Sequence, residues 1–349
     1  MSHPIVRRRR LVAGALPLVL AATLGLSACS AKSNAAKDAA ATGQPVAASS
    51  GEQIKIAFVS GPLNDPFFPP LYQGAQDAAK QLPIKLNYIP IDEADIQASS
   101  ARTMEAAIAS KPDAIVVGDF ITNVVDPLIK KAVAAGIPVF VNQSGQDSWE
   151  KDGALGFIGQ FGPDVGAQSA KRFLDAGKKN ITCVVNVAGN PYLDAICKGL
   201  GDGLRAAGGS SDVFTLPSGD GTDQSKTTKD LSGFLATHKD VEGVMTLNNL
   251  TGYAAIDALN QAGRKGAPVG SLGVGKSAID KVNNGSMLFL VNEQPYLDGY
   301  LGTITAYTYA KFGLAPVGVI KTGPQFVDKS NVEKISAVFD KYPNVIGPK

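Results

Sequence analysis

From Gln53 onward the sequence alternates short, β-branched apolar runs with amphipathic, Ala-rich stretches, and that alternation leaves few folds open. Repeated βα units pair their strands in parallel and bury both faces of the sheet under helices. The runs 54–60, 84–91, 114–119, 138–142 and 155–159 predict strands. Segments 67–81, 95–109 and 124–135 predict the helices between them, the last stopped by Gly136 and Pro138. The series then restarts with a helix over 166–176, a strand over 181–188 and a helix over 192–207. It continues through 212–216, 223–236, 243–248, 252–262, 269–274 and 289–292. Two halves of about five strands each predict an α/β chain of two doubly wound parallel-sheet lobes, since about 300 residues exceed one ordinary core.

In doubly wound sheets ligands sit outside the carboxyl ends of the strands. Those positions here gather amides, carboxylates and aromatics: Asn64, Asp65, Phe67 and Phe68, then Asn142 and Gln143, then Asn190 and Tyr192. The second half adds Asp220, Asn248, Asn249, Glu293 and Gln294. Amides and carboxylates bridge neighbouring hydroxyls, and flat rings cover the C–H faces of a sugar or polyol. Any one of them is equally explained as a turn former or helix cap; the set is more informative than its members. The candidate ligand set is therefore Asp65, Phe67, Phe68, Asn142, Gln143, Asn190, Tyr192, Asp220, Asn248, Glu293 and Gln294, for a small, uncharged, hydroxyl-rich ligand. Pro66 suits a first helical turn, and Phe68 is expected to stack on ligand in preference to Phe67.

Enzyme signatures are missing from the sequence. Its two histidines are His3, in the leader, and His238, in a polar Thr-His-Lys-Asp segment, so a nucleophile has no evident base. No His/Cys cluster has metal-ligand spacing, and no cofactor is expected. The run 270–275 (Gly-Ser-Leu-Gly-Val-Gly) lacks the order of a nucleotide loop and reads as a turn. Asp220 and Glu293 are a pair of the kind glycosidases use, but nothing in the sequence sets their separation.

At the N-terminus Arg7 to Arg10 precede an apolar run that ends in Leu26-Ser27-Ala28-Cys29. This predicts a lipoprotein signal over 1–28, with Cys29 lipidated and holding the chain to a membrane in the cell envelope. Residues 29–51, rich in Ala, Ser, Gly and Lys, predict a flexible tether. Removing four arginines with the signal changes 33 basic side chains to 29, against 31 acidic ones. A near-neutral surface argues against nucleic acid. Cys183 and Cys197 remain as an even pair in an exported chain, one in a predicted strand and one in the next helix, so a disulfide is feasible.

The residues then resemble a known family over nearly the whole mature chain: the type I periplasmic sugar-binding proteins, the ribose-binding-like receptors of bacterial ABC importers. The resemblance rests on 56–59 running into Asn64-Asp65-Pro66-Phe67-Phe68, on Gly74-Ala75-Gln76 and on 135–139. It continues through 156–166, 244–248, and Asn292-Glu293-Gln294-Pro295-Tyr296-Leu297-Asp298-Gly299-Tyr300, followed by Gly323-Pro324-Gln325-Phe326-Val327. It implies three crossovers near Gly159, Glu293 to Pro295 and Thr322 to Pro324. The first lobe would hold 52–158 plus 295–322, and the second 159–293 plus 323–349. It further implies hinge closure, a monomer, and ABC permease subunits as partners, with Asp65, Phe67, Phe68, Asn142 or Gln143, Asn248 and Glu293 in the pocket. Ribose receptors carry charge where this chain has Ile196 and Gly273, so another pentose, a sugar alcohol or a deoxy compound is expected in place of ribose. A sugar sensor that presents its closed form to a kinase or chemoreceptor is the alternative. A repressor with the same core would need a DNA-binding helix-turn-helix at its N-terminus.

Overall fold

The computed structural model describes residues 53–316 and 318–347, so the leader, Cys29 and the tether lie outside the described residues. β1 (Ile54–Ser60), β2 (Ile84–Pro90), β3 (Ala114–Val117), β4 (Val139–Asn142) and β5 (Gly156–Gly159) form a parallel sheet. A second sheet joins β6 (Asn180–Val185), β7 (Ser210–Thr215), β8 (Gly243–Thr246), β9 (Val269–Leu272) and β10 (Phe289–Asn292). Each sheet gains a sixth strand from the C-terminal region: β11 (Gly318–Lys321) runs parallel beside β5, and β12 (Gln325–Asp328) antiparallel beside β10. Strand order is β11-β5-β4-β3-β1-β2 in one and β12-β10-β9-β8-β6-β7 in the other, the same winding twice. The two-lobe α/β architecture is the one expected from the alternation.

Central strands β3, β4, β5, β8, β9 and β10 are buried along their whole length, as a sheet covered on both faces requires. Edge strand β7 is exposed or half-buried throughout. The first sheet is covered by α1 (Phe68–Gln81), α2 (Ile96–Ala109) and α3 (Thr122–Ala134), and by α9 (Pro295–Phe312), which returns from the second lobe. The second carries α4 (Gly162–Asp175), α5 (Pro191–Ala206), α6 (Gln224–Thr237), α7 (Asn249–Gln261), α8 (Lys276–Asn283) and α10 (Val332–Lys341), and a short turn, α11 (Pro343–Ile346), is the last described helix. No described helix is long and apolar enough to cross a membrane.

α1 and α9 approach at backbone distance. A Cβ on Gly74 would stand 2.1 Å from the Tyr296 carbonyl oxygen, and one on Gly299 1.9 Å from that of Leu71. Only hydrogen fits at either position, so the two glycines of the motifs noted above dock α9 on the first lobe.

Several expected strands end early. Those read as 114–119, 181–188, 243–248 and 269–274 stop at Val117, Val185, Thr246 and Leu272. The residues beyond turn toward the following helix, Gly118 and Gly273 each making one last hydrogen bond to the neighbouring strand, to the Val59 and Val291 carbonyls at 3.0 and 2.9 Å. The run 270–275 accordingly divides between β9 and a turn at Gly273, whose φ is +88°.

Cys183 on β6 is bonded to Cys197 on α5, with Cα atoms 5.6 Å apart and both residues in the second lobe's core. The bridge spans 14 residues, and closing a loop of that size in the unfolded chain is worth about 3 kcal/mol. The double variant Cys183→Ala/Cys197→Ala should lose about that much stability in urea unfolding, with an unchanged far-UV circular dichroism spectrum.

Candidate ligand cleft

Three crossovers set the carboxyl ends of the two sheets face to face. The chain leaves the first sheet after Gly159, returns through Glu293 and Gln294, and leaves again through Thr322, Gly323 and Pro324, the last two joined by a cis peptide. The crossovers are tied to one another. Thr322 N–H donates to the Gly159 carbonyl at 3.2 Å, the Gln294 amide donates to the Thr322 carbonyl, and Asn292 Nδ2 donates to Gln325 Oε1 at 2.8 Å. Gln294 takes a left-handed backbone (φ 57°, ψ 50°), which turns the chain into α9.

Between the lobes lies a cleft of about 1060 Å³ of atom-free space, its open mouth included. Asp65, Phe67, Phe68, Gln143, Asn190, Tyr192, Asn248 and Glu293 line it. Phe67 and Phe68 meet edge-to-face with centroids 5.1 Å apart, and Phe68 meets Phe120 in the same way at 5.8 Å. Gly61 leaves room for the Phe68 ring, since a Cβ there would fall 2.0 Å from its tip.

Several polar side chains have scaffold duties as well. Asn190 caps α5, its Oδ1 accepting from the N–H groups of Tyr192 and Leu193 at 3.0 and 3.2 Å, and accepts across the lobes from Ser144 Oγ at 3.3 Å. Asn248 caps α7 through Thr251 N–H at 2.8 Å, and its Nδ2 donates to the Gly221 carbonyl at 3.2 Å. Asp65 Oδ1 accepts from Phe67 N–H at 2.8 Å. Among the lining atoms, Gln143 Nε2 and Asn186 Oδ1 are buried and have no protein partner. A desolvated donor or acceptor of this kind costs free energy until something in the cleft bonds it.

Three residues of the sequence-derived set do not line the cleft. Asn142 is fully buried beneath it, its Nδ2 donating to the Asp298 carbonyl at 3.2 Å. The adjacent Gln143 takes the cleft position because the chain reverses there (φ 65°), throwing successive side chains to opposite sides. Asp220 opens a short 3₁₀ turn and pairs with Lys226 at 3.1 Å. Gln294 serves the crossovers, as described. Conversely, Phe120, Asn186 and Asn249 line the cleft outside that set. Asn249 is among the strand-end positions named above, whereas Phe120 and Asn186 sit just past strands that end earlier than their apolar runs, and this is the signal that would have found them. Asn249 stands on Gly273: a Cβ there would meet its amide at 3.0 to 3.2 Å, and the amide nitrogen, turned toward the Leu272 and Gly273 carbonyls, reaches each at 3.0 Å. Ile196 is fully buried in the second lobe's core, so neither it nor Gly273 offers the ligand a charge.

Burial at the lobe junction suppresses ionisation. Desolvation raises Glu293 to about 8, the charge of Asp65 adding to the effect and the neighbouring Tyr192 hydroxyl opposing it. Asp65 is raised to about 6 by burial, against the stabilising Phe67 N–H. Asp298, buried beside Thr322 and near Glu293, lies well above the usual carboxylate range. Among the described residues lining the cleft none is Lys, Arg or His. At neutral pH this wall therefore offers a carboxylic acid at Glu293, able to donate as well as accept.

Residues 56–314, most of the chain, match the family described as "Periplasmic binding protein domain". The chain belongs to that family. It is a binding protein and not an enzyme. A xylose/arabinose-binding protein of Sulfolobus acidocaldarius is 23% identical over 80% of this chain and 72% of its own length. Among solved structures, a carbohydrate transporter from Acidothermus cellulolyticus 11B in complex with myo-inositol superposes with TM-score 0.76 at 27% identity, covering 83% of this chain and 99% of that one. An ABC transporter solute-binding protein from Agrobacterium vitis bound with α-D-tagatopyranose gives TM-score 0.72 at 25% identity over 85% and 100% of the two chains.

The raised Glu293 sets a pH test. Its folded value lies above its unfolded one (4.5), so its stabilising contribution is complete below about 4.5 and is lost as pH rises toward 8. Ligand affinity should hold to about pH 8 and then fall about tenfold per unit, as the neutral acid that donates to a hydroxyl is depleted. Glu293→Gln should keep neutral-pH affinity and flatten the alkaline fall in calorimetric titrations from pH 6 to about 9.5. An alkaline fall retained in that variant would assign it to another group.

Proposed function

We propose that this chain is the extracytoplasmic solute-binding component of an ABC importer and captures a neutral monosaccharide, cyclitol or sugar alcohol by closing its two lobes. One observation supports this most: a cleft at the carboxyl ends of both sheets, walled by Phe67, Phe68 and Phe120 on one side of its chemistry and by Gln143, Asn186, Asn190 and Asn248 on the other, without a cationic side chain. Aromatic faces suit C–H surfaces and amides suit vicinal hydroxyls, while an anionic ligand would meet Asp65 and Glu293 with nothing to neutralise it. The bound myo-inositol and tagatopyranose of the two structural relatives are ligands of this kind. The Ser144 to Asn190 hydrogen bond links the lobes and belongs to the closed form.

The ligand is one other than ribose, because the places where ribose receptors carry charge hold Ile196 and Gly273. Lipid attachment at Cys29, through the signal over 1–28 and the tether over 29–51, would keep a monomeric receptor at the membrane beside its permease. The lobes comprise 52–158 with 295–322, and 159–293 with 323–349.

Thermal denaturation against a panel of cyclitols, pentoses, hexoses and sugar alcohols tests the assignment, because a ligand that binds only the folded state raises the midpoint with concentration. A rise with at least one non-ribose member is expected; a response to ribose alone would overturn it. Asn186→Ala should weaken that binding more than about tenfold while the ligand-free midpoint stays put, since Oδ1 has no protein partner to lose. Asn248→Ala is a poorer probe, because it also removes the α7 cap, worth about 1 kcal/mol.

A further inference from the structure

The end of the chain does not stay with the lobe that delivers it. α10 is fixed to the second lobe, where Val332 and Phe339 are buried in the core with Ile279 and Val282. One residue later α11 lies against α1 and α9, both elements of the first lobe. Gly347 then sits on the second lobe again: a Cβ there would fall 1.8 Å from the Val274 carbonyl oxygen. Between these contacts Ile346 faces the cleft along with Phe67, Phe68 and Val274, and packs on the second lobe's core.

We propose that residues 343–347 form a clasp that bridges the two lobes across the ligand cleft, and that Ile346 is a wall of the site selecting ligands with an apolar C–H face. The three crossovers join the lobes covalently and persist in any state. The clasp touches both lobes without a covalent link to the first, so opening the cleft must break one set of its contacts. Its strength therefore biases the closed population and the rate of ligand escape. Geometry makes it specific to this sequence position: Tyr342 alone separates α10 from α11, leaving little slack, and Gly347 lets the backbone lie on Val274 where any side chain would lift it. Ile346 adds an aliphatic surface to those of Val274, Leu247 and the phenylalanines, and such a wall favours rings with axial or deoxygenated C–H surfaces over fully polar ligands.

The selectivity half of the proposal rests on the sugar-or-polyol reading; the clasp does not. Gly347→Ala alters no ligand-facing side chain but should dislodge the clasp. Hydrogen–deuterium exchange on the ligand-free, full-length protein should then quicken at the start of α1 and at 274–276, with overall folding unchanged by circular dichroism. The ligand found in the panel should leave about tenfold faster. Ile346→Ala should weaken that ligand about tenfold and, because Ile346 also packs on the second lobe's core, quicken exchange at 274–276 less than Gly347→Ala does. Unchanged exchange in Gly347→Ala would overturn the clasp, and unchanged affinity in Ile346→Ala would overturn the wall. A wild-type protein that binds nothing in the panel would refute the ligand reading and with it the selectivity, while exchange would still decide the clasp.

Discussion

The backbone contact between α1 and α9 is the constraint on which the site depends. α9 begins in sequence at the far lobe, directly after Glu293 and Gln294, yet it must pack on the first sheet. Gly74 and Gly299 let the two helices meet backbone to backbone, with no side chain to cushion the approach. That fixes the start of α9, Pro295, beside the start of α1, Phe68, so that both helix entrances open on one cleft. Glu293 and Asp65, which sit just before these entrances, are thereby brought close enough for the charge of Asp65 to raise Glu293 further. A bulkier residue at either glycine would displace the second crossover and separate the carboxyl groups along with the lobes.

Much of the fold could be read from local sequence, because parallel sheets advertise themselves as continuous apolar runs bounded by turns. β1 spans Ile54–Ser60 in both readings, and α1 differs by one residue. Ends were less legible. Runs such as Cys183-Val184-Val185-Asn186-Val187-Ala188 stay apolar beyond the last ladder hydrogen bond, so hydropathy alone extends the strand and hides Asn186 inside it. α8 and α10 escaped because they are short, although Val332, Ile335 and Phe339 lie at helical spacing and could have revealed the latter.

The candidate site was legible as a set and less so by member. Strand-end logic reaches nine of the cleft's residues, yet it cannot separate Asn142 from Gln143, since that depends on a left-handed backbone at one non-glycine residue. It reaches Asn249 too, although what seats that side chain, the space Gly273 leaves, is a tertiary fact. Ile346 is further from reach: it arrives from the end of the chain through α10, whose docking is a tertiary fact with no local sequence signature.

Caps and ligand groups coincide here for a physical reason. A doubly wound sheet sends each strand into a helix, and the residue at the junction must satisfy helix N–H groups that have no partner of their own. Asn190 and Asn248 do so with one oxygen each, while Asp65 accepts from Phe67 N–H just ahead of α1, and all three are thereby held at the cleft wall. Each junction thus supplies a polar side chain already ordered, whose immobilisation was met on folding and need not be met again on binding. Gln143 and Asn186 differ, because each keeps a buried polar atom without a protein partner. Discrimination among hydroxylated ligands therefore falls on these two and on the neutral Glu293, whereas the capping residues set the shape into which a ligand must fit.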